Sequence, residues 1–385
     1  MLYLDHCATT PPYPDVIDTV ADVMRRFYGN PSSIHRIGME AENLLKKARE
    51  VVAGSIHCKP EEIIFTSGGS ESNNLAIKGV CYLNRQRGMH LVTTQIEHAS
   101  VYETFRQLER DGFKVTYLPV DATGAVDPGD VERALTHDTI LVSIMLVNNE
   151  TGRIQPVEEI GKRLRSYPKV LFHVDAVQAL GHMPVDPKQW GADLASFSGH
   201  KVRGPKGTGF LYKREHLRLS PLIAGGGQEM GYRSGTENVP LLVGMAKAVR
   251  RAVQEQPANC EQLRRLRARL IERLNPLADS YGLAATGTAD PDGMAPHIVH
   301  VTVPGIKPEV VVHALEEHDI YISTRSACAS REEKPSRVLQ AMGLPPERAQ
   351  GGLRISFSSE QTVEDMDRFA DTLAHVLAGV ARQRR

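Results

Sequence analysis

The stretch Glu62-Ile63-Ile64-Phe65-Thr66-Ser67-Gly68-Gly69-Ser70-Glu71-Ser72-Asn73-Asn74 reads as a short apolar strand over 62–65, a glycine break over 66–69 and a helix from Ser70 onward. The same alternation recurs outward from it to about residue 215. Apolar runs at 90–94, 114–118, 140–147, 170–174, 193–197 and 209–212 are separated in several places by amphipathic stretches such as 101–110 and 157–165. Repeated strand–helix units predict a mostly parallel sheet covered by helices on both faces. In such sheets ligands sit outside the carboxyl ends of the strands, so the polar residues that close these runs are the candidates for chemistry.

Beyond about residue 250 the character changes. Leu263, Leu266, Leu270, Ile271 and Leu274 recur at helical spacing, as do Val363, Met366, Phe369, Leu373, Val376 and Leu377, with β-like runs at 297–303 and 353–357 between them. This pattern predicts a smaller α+β domain. At 385 residues the chain exceeds the size at which one core usually stops growing. The expected division is residues 12–255 for the large α/β domain, and 1–11 with 256–385 for the small one, the boundary falling inside a long helix that begins near Pro240. The polar, Gly-rich stretch 282–296 reads as an exposed loop.

Lys plus Arg equal Asp plus Glu at 46 each, which gives no electrostatic support to nucleic-acid or anionic-membrane binding. The opening MLYLDHCATTPPYPD lacks the basic start and apolar stretch of a signal peptide, and no run approaches 18 uncharged apolar residues. The expectation is a soluble, cytoplasmic protein. The cysteines, Cys7, Cys58, Cys81, Cys260 and Cys328, are scattered with no CxxC pair, which suggests neither a disulfide framework nor a zinc knuckle. Each reads first as a small buried apolar residue. Cys328 is the exception, because its neighbours (Ser326-Ala327 before, Ala329-Ser330-Arg331-Glu332-Glu333-Lys334 after) have the small and charged composition of a loop.

Five strand ends carry the chemistry. The Gly68-Gly69-Ser70 turn lets backbone approach an anion at a helix start, although Ser70 as a simple cap explains the segment equally well. Asp175 closes the 170–174 run: it either caps the next helix or faces a ring cation such as a protonated pyridine nitrogen. A metal held by His173 and Asp175 lacks an evident third ligand. Lys201 follows Ser196-Phe197-Ser198-Gly199-His200 and precedes a Gly/Pro turn. A lysine is ordinarily a solvated surface charge, but this setting can desolvate the amine and make it a nucleophile toward a carbonyl. Glu97-His98 and Asn148-Asn149-Glu150 close two further runs, offering an imidazole and an amide at the same sheet edge.

Taken in order, these residues resemble the pyridoxal-phosphate-dependent cysteine desulfurases of the NifS/IscS type, within the class-V aminotransferase superfamily. The matches run nearly end to end: Tyr3-Leu4-Asp5, Ala8-Thr9-Thr10-Pro11, the segments 29–35 and 65–74, Glu97-His98, 147–152, His173 to Gln178, Ser198-Gly199-His200-Lys201, Gly204-Pro205-Lys206-Gly207, 233–238, Ser326-Ala327-Cys328 and Arg354-Ile355-Ser356-Phe357. The resemblance implies a pyridoxal-phosphate-dependent transferase of fold type I, with a seven-stranded, mostly parallel sheet in the large domain. It implies that Lys201 carries pyridoxal 5'-phosphate as a Schiff base and that Asp175 pairs with the pyridine nitrogen. Gln178 would bond the ring hydroxyl, and His98 would stack on the ring. Gly69, Ser70, Ser198 and His200 would contact the phosphate, Thr236 that of the other subunit of a homodimer. Asn149 and Arg354 would hold the L-cysteine substrate.

Cys328 would take the sulfur as a persulfide and pass it to an acceptor protein, a scaffold or sulfur carrier, for iron–sulfur assembly or tRNA thiolation. An aminotransferase has no need of Cys328, which separates the two chemistries. Three departures from the family pattern stand out: Ser70 where Thr is frequent, Arg325 near the loop where Gly is common, and Cys7 where Ala is common. None removes a catalytic group.

Overall fold

The computed structural model describes residues 1–324 and 335–382. Two small strands and three helices open the chain: β1 (Leu2–Tyr3), α1 (Pro14–Arg26), α2 (Arg36–Ser55), β2 (Ile63–Thr66) and α3 (Gly69–Asn84). Then β3 (His90–Thr94), α4 (Ala99–Arg110), β4 (Lys114–Leu118), α5 (Pro128–Ala134), β5 (Thr139–Met145), α6 (Val157–Leu164), β6 (Leu171–Asp175), β7 (Leu194–Ser198) and β8 (Gly209–Lys213) follow. These strands form a seven-stranded sheet in the order β2-β8-β7-β6-β5-β3-β4.

The direction of each strand follows from its connection. A parallel pair needs a crossover of about a dozen residues or more, and helices supply it between most neighbours. The short link from β7 to β8 cannot, and β8 runs antiparallel to both β7 and β2. β5, β6 and β7 are buried at every position, as covering on both faces requires, and most of their residues are apolar. In β2, Ile63 and Phe65 enter one core and Ile64 the core on the opposite face.

The 36-residue helix α7 (Val239–Leu274) leads out of this unit. Its first half, from Val239 to Ala252, packs in the sheet core, and Leu263 to Leu274 pack in a second core, with Pro257 between. Around the second core lie α8 (Pro276–Tyr281), β9 (Ala284–Ala285), β10 (Ile298–Thr302), α9 (Pro308–Glu316), β11 (Ile320–Tyr321), β12 (Gly352–Ser356) and α12 (Val363–Arg382), while α10 (Arg337–Ala341) and α11 (Pro346–Ala349) pack in a separate small cluster with Ile96 and Met145. β12, β10 and β9 make an antiparallel sheet, and β1 pairs in parallel with β11, which sews the N-terminus to this half.

One expectation is corrected. The 282–296 stretch is not simply an exposed loop: it carries β9 and a helical turn at Pro291–Gly293, and Met294 and Ala295 are buried. Met294 forms an isolated bridge with Arg153, so this segment leans on the large sheet unit. Its Gly and Pro content marked turns correctly but says nothing about what those turns pack against.

Candidate active site

The site assembles where strands end. β2 stops at Thr66, whose hydroxyl lies 2.8 Å from that of Ser72 on the first turn of α3. α3 has no side-chain cap, so its leading N–H groups face outward as donors. Gly69 sits there for lack of room: a Cβ would come within 2.7 Å of Val177 Cγ2. That contact brings the start of α3 against the residues that follow β6.

Asp175, the last residue of β6, is 5% exposed. Its carboxylate accepts from Asn73 Nδ2 at 2.8 Å and from the Val177 N–H at 3.1 Å, which stabilises the charge without a cationic partner among these contacts. One strand over, β7 ends in a helical turn, Gly199–Lys201. Lys201 Nζ donates to the Ala8 carbonyl at 2.8 Å and also to the Cys7 carbonyl. The Cys7 carbonyl in turn accepts from Gln178 Nε2 at 3.2 Å. His200 Nδ1 is 3.1 Å from Thr9 Oγ1, and burial first, then Lys201 and Lys206, lowers its pKa to about 4.

His98 is the N-cap of α4, its Nδ1 accepting from the Ser100 N–H at 3.1 Å. Burial lowers its pKa, Asp175 opposes that, and Lys201, Arg337 and Arg354 add to it. Arg354, on β12, reaches the site from the second core. It is 1% exposed, donates to the Asn149 carbonyl at 2.9 Å and pairs with Asp5 at 2.8 Å, while its Nε has no partner.

Together these residues line a cavity of about 180 Å³. Gly69, Ser70, His98, Asn149, Asp175, Gln178, Ser198, His200, Lys201 and Arg354 are all on its wall. Thr236 is not: it is exposed in the segment leading to α7. Cys328 and Arg325 lie outside the described residues. Cys7, Ala8, Asn73, Ser100, Met145, Val147 and Val177 line the cavity without having been singled out as site residues. For Asn73 a signal existed, since it stands one helical turn after Gly69 and so shares its face. For Cys7 and Ala8 nothing local pointed to a site. The Cys7 thiol is buried and its pKa is raised, burial outweighing the nearby Arg354 and Lys201 charges.

The arrangement offers an amine, an isolated carboxylate and a helix N-terminus on one small wall. It suits a ligand that carries a carbonyl, a protonated ring nitrogen and an anionic group.

The Aminotransferase class-V family model matches residues 2–369 of the chain. A protein described as a NifS/IcsS protein homolog from Lactobacillus delbrueckii subsp. bulgaricus is 45% identical over 370 residues, covering 96% of this chain and 95% of that one. A protein described as cysteine desulfurase IscS from Methanosarcina thermophila is 43% identical, covering 98% and 92%. Among solved structures, one titled NifS-like protein superposes with a TM-score of 0.91 at 39% identity, covering 98% of this chain and 99% of the other.

Proposed function

The chain belongs to the aminotransferase class-V family, and from that premise we infer that its cavity binds pyridoxal 5'-phosphate and that it is a cysteine desulfurase. The observation that carries this reading is the convergence of the Lys201 amine, the Asp175 carboxylate and the N-terminus of α3 on one wall. The donor set fits the group: helix N–H donors with Ser70, Ser198 and His200 for the phosphate, and Asp175 for the ring nitrogen. When bound, the group supplies an aldehyde carbon and an electron-accepting ring.

Each side chain then has a task. Lys201 Nζ would hold the carbonyl end of the group and would act as the base that takes the Cα proton of the substrate. Asp175 keeps the ring nitrogen protonated by holding a negative charge beside it. Gln178 donates to the ring hydroxyl, and His98 covers the ring. Arg354 offers a buried guanidinium with an unpartnered Nε to the cysteine carboxylate, helped by Asn149. A Cys328 thiolate would attack the substrate sulfur: the C–S bond breaks, an S–S bond forms, the electron pair left on the β-carbon takes a proton, and Lys201 returns a proton to Cα, which gives alanine.

The same reading makes Thr236 a contact to the partner subunit's phosphate in a homodimer, consistent with its place on the exterior of a single chain. It divides the chain into residues 12–255 and 1–11 with 256–385, the two halves centring on separate cores. Among the described residues no helix is long and apolar enough to cross a membrane, which supports a cytoplasmic enzyme handing sulfur to an acceptor protein. That acceptor belongs to iron–sulfur assembly or tRNA thiolation, and no direct contact with nucleic acid is needed.

Incubating the purified, cofactor-loaded protein with cysteine and weighing its peptides tests the reading. Released alanine with one added sulfur on the Cys328 peptide is the expected result. Sulfide release with no adduct at Cys328 would remove the persulfide step, and absence of a visible absorption band that Lys201→Ala abolishes would remove the cofactor.

A further inference from the structure

Asn73 is 1% exposed on α3, and its amide makes two donations inside the site. Nδ2 lies 2.8 Å from Asp175 Oδ2 and 2.9 Å from Ser100 Oγ. An ionised carboxylate only accepts, so the nitrogen and not the oxygen must face Asp175. The Ser100 oxygen thereby receives a hydrogen from Asn73, and its own hydrogen is free for His98 Nδ1 at 2.8 Å. The Ser100 N–H donates to the same Nδ1 at 3.1 Å. With two donors aimed at it, Nδ1 must be the acceptor, which puts the ring hydrogen on Nε2. Protonating Nδ1 would face N–H against both donors, and would set a cation at the positive end of α4.

We propose that Asn73 and Ser100 are positioning residues that hold His98 as the neutral Nε2–H tautomer and tie it to the Asp175 carboxylate through one hydrogen-bonded chain. The chain Asp175–Asn73–Ser100–His98 links the group assigned to the ring nitrogen with the group assigned to the ring face. The two sides of the cofactor site are therefore set by one buried amide, and not independently. The charges acting on His98 are Asp175, which favours its protonation, and Lys201, Arg337 and Arg354, which oppose it. The Asn73–Ser100 bridge adds to the second group by stabilising the neutral ring. The significance for catalysis rests on the cofactor reading above, whereas the tautomer lock does not require it.

The test is a titration of the full chain labelled with ¹³C at histidine Cε1, with and without bound pyridoxal phosphate, His98 being identified by the resonance lost in His98→Gln. The wild type is expected to show the Nε2–H form. Ser100→Ala removes one donor from Nδ1 and raises the His98 midpoint by about one pH unit, while Ser100→Thr keeps the hydroxyl and the wild-type midpoint. Asn73→Ala frees the hydroxyl to turn and accept, giving a rise of the same size, and the double variant rises no further than either single one. An Nδ1–H form in the wild type, an unmoved midpoint in Ser100→Ala, or additive shifts in the double variant would overturn the proposal. Should Asn73→Ala not fold, the Ser100 pair decides the question alone. No turnover is measured, so the outcome is independent of whether the chain desulfurates cysteine.

Discussion

Glu97 stands beside His98 with its carboxyl enclosed at 1% exposure. Oε1 accepts from Thr94 Oγ1 at 2.7 Å and from the Met145 N–H at 3.1 Å, and Oε2 has no protein partner. Burial pushes its pKa up to about 8; those two hydrogen bonds oppose the rise and the Asp175 charge adds to it. An unfolded glutamate titrates near 4.3, so between roughly pH 4.5 and 8 the folded state keeps a proton that the unfolded state has released. Stability is therefore lost as pH rises through that window. Glu97→Gln, which is neutral at every pH and keeps an oxygen for Thr94 and Met145, is expected to match the wild type near pH 4.5. It should exceed it at pH 8 by an amount on the order of a few kcal/mol, seen as a growing gap in Tm. A gap that is constant with pH would show that Glu97 is ionised in the fold. At this scale Lys201 and Asp175 were legible because each closes an apolar run. Cys7 and Ala8 were not, because the contact with Lys201 joins positions more than 190 apart and leaves no local pattern.

The strands of the large sheet and its helices α3, α4 and α6 were legible to within a residue or two, since buried strands are rich in apolar residues and such helices are amphipathic, whereas α1, α2 and α5 were not read. The two-residue strands β1, β9 and β11 were not, being too short to show a period. What the pattern also hides is how closely elements approach. In α6, a Cβ on Gly161 would run into the Trp190 carbonyl, in the segment that leads to β7 and so to Lys201. Helix propensity alone says that Gly→Ala gains about 0.5–1 kcal/mol. At Gly161 the collision reverses that sign, and Gly161→Ala is expected to cost about 1–3 kcal/mol through overpacking. Gly54, exposed near the end of α2 with nothing within 4 Å of its Cβ position, is the matched control, where Gly54→Ala should gain stability. Urea melts of the two variants check this: equal and positive changes would mean that α6 does not sit against the Trp190 turn as described.

For the molecule as a whole, the sequence shows a change of pattern near residue 250 and the structure two separate cores, but the contacts between those cores left no pattern in the sequence. One of them is a stack of His182 on His297, ring centroids 3.7 Å apart and 14° from parallel, linking the turn after β6 to the start of β10. Burial lowers the pKa of His182 to about 4, with the His6 charge adding, and takes His297 well below the usual range. The same cause brings His173, in the large sheet, and His300, in the small one, to about 3, and His6 to about 4. An unfolded histidine titrates near 6.5, so these groups contribute stability that is full above that pH and is lost as pH falls toward their folded values. Near pH 5.3 unfolding should take up roughly one proton at each of these five and at His200, also brought to about 4, and a further part at His98 and His90, whose values are lowered too, while Glu97, already protonated in the fold, releases one, leaving about five or more. Because the five are spread over both cores and across the contact between them, acid weakens the halves together and does not release one first. The expected outcome is a single steep loss of urea stability between pH 6.5 and 5, reported alike by signals from both halves. His300→Gln should lower its slope by about one proton, about 1.4 kcal/mol per pH unit. A flat profile across that window would mean that the histidines are solvated. Two separated transitions would mean that the His182–His297 stack does not couple the halves.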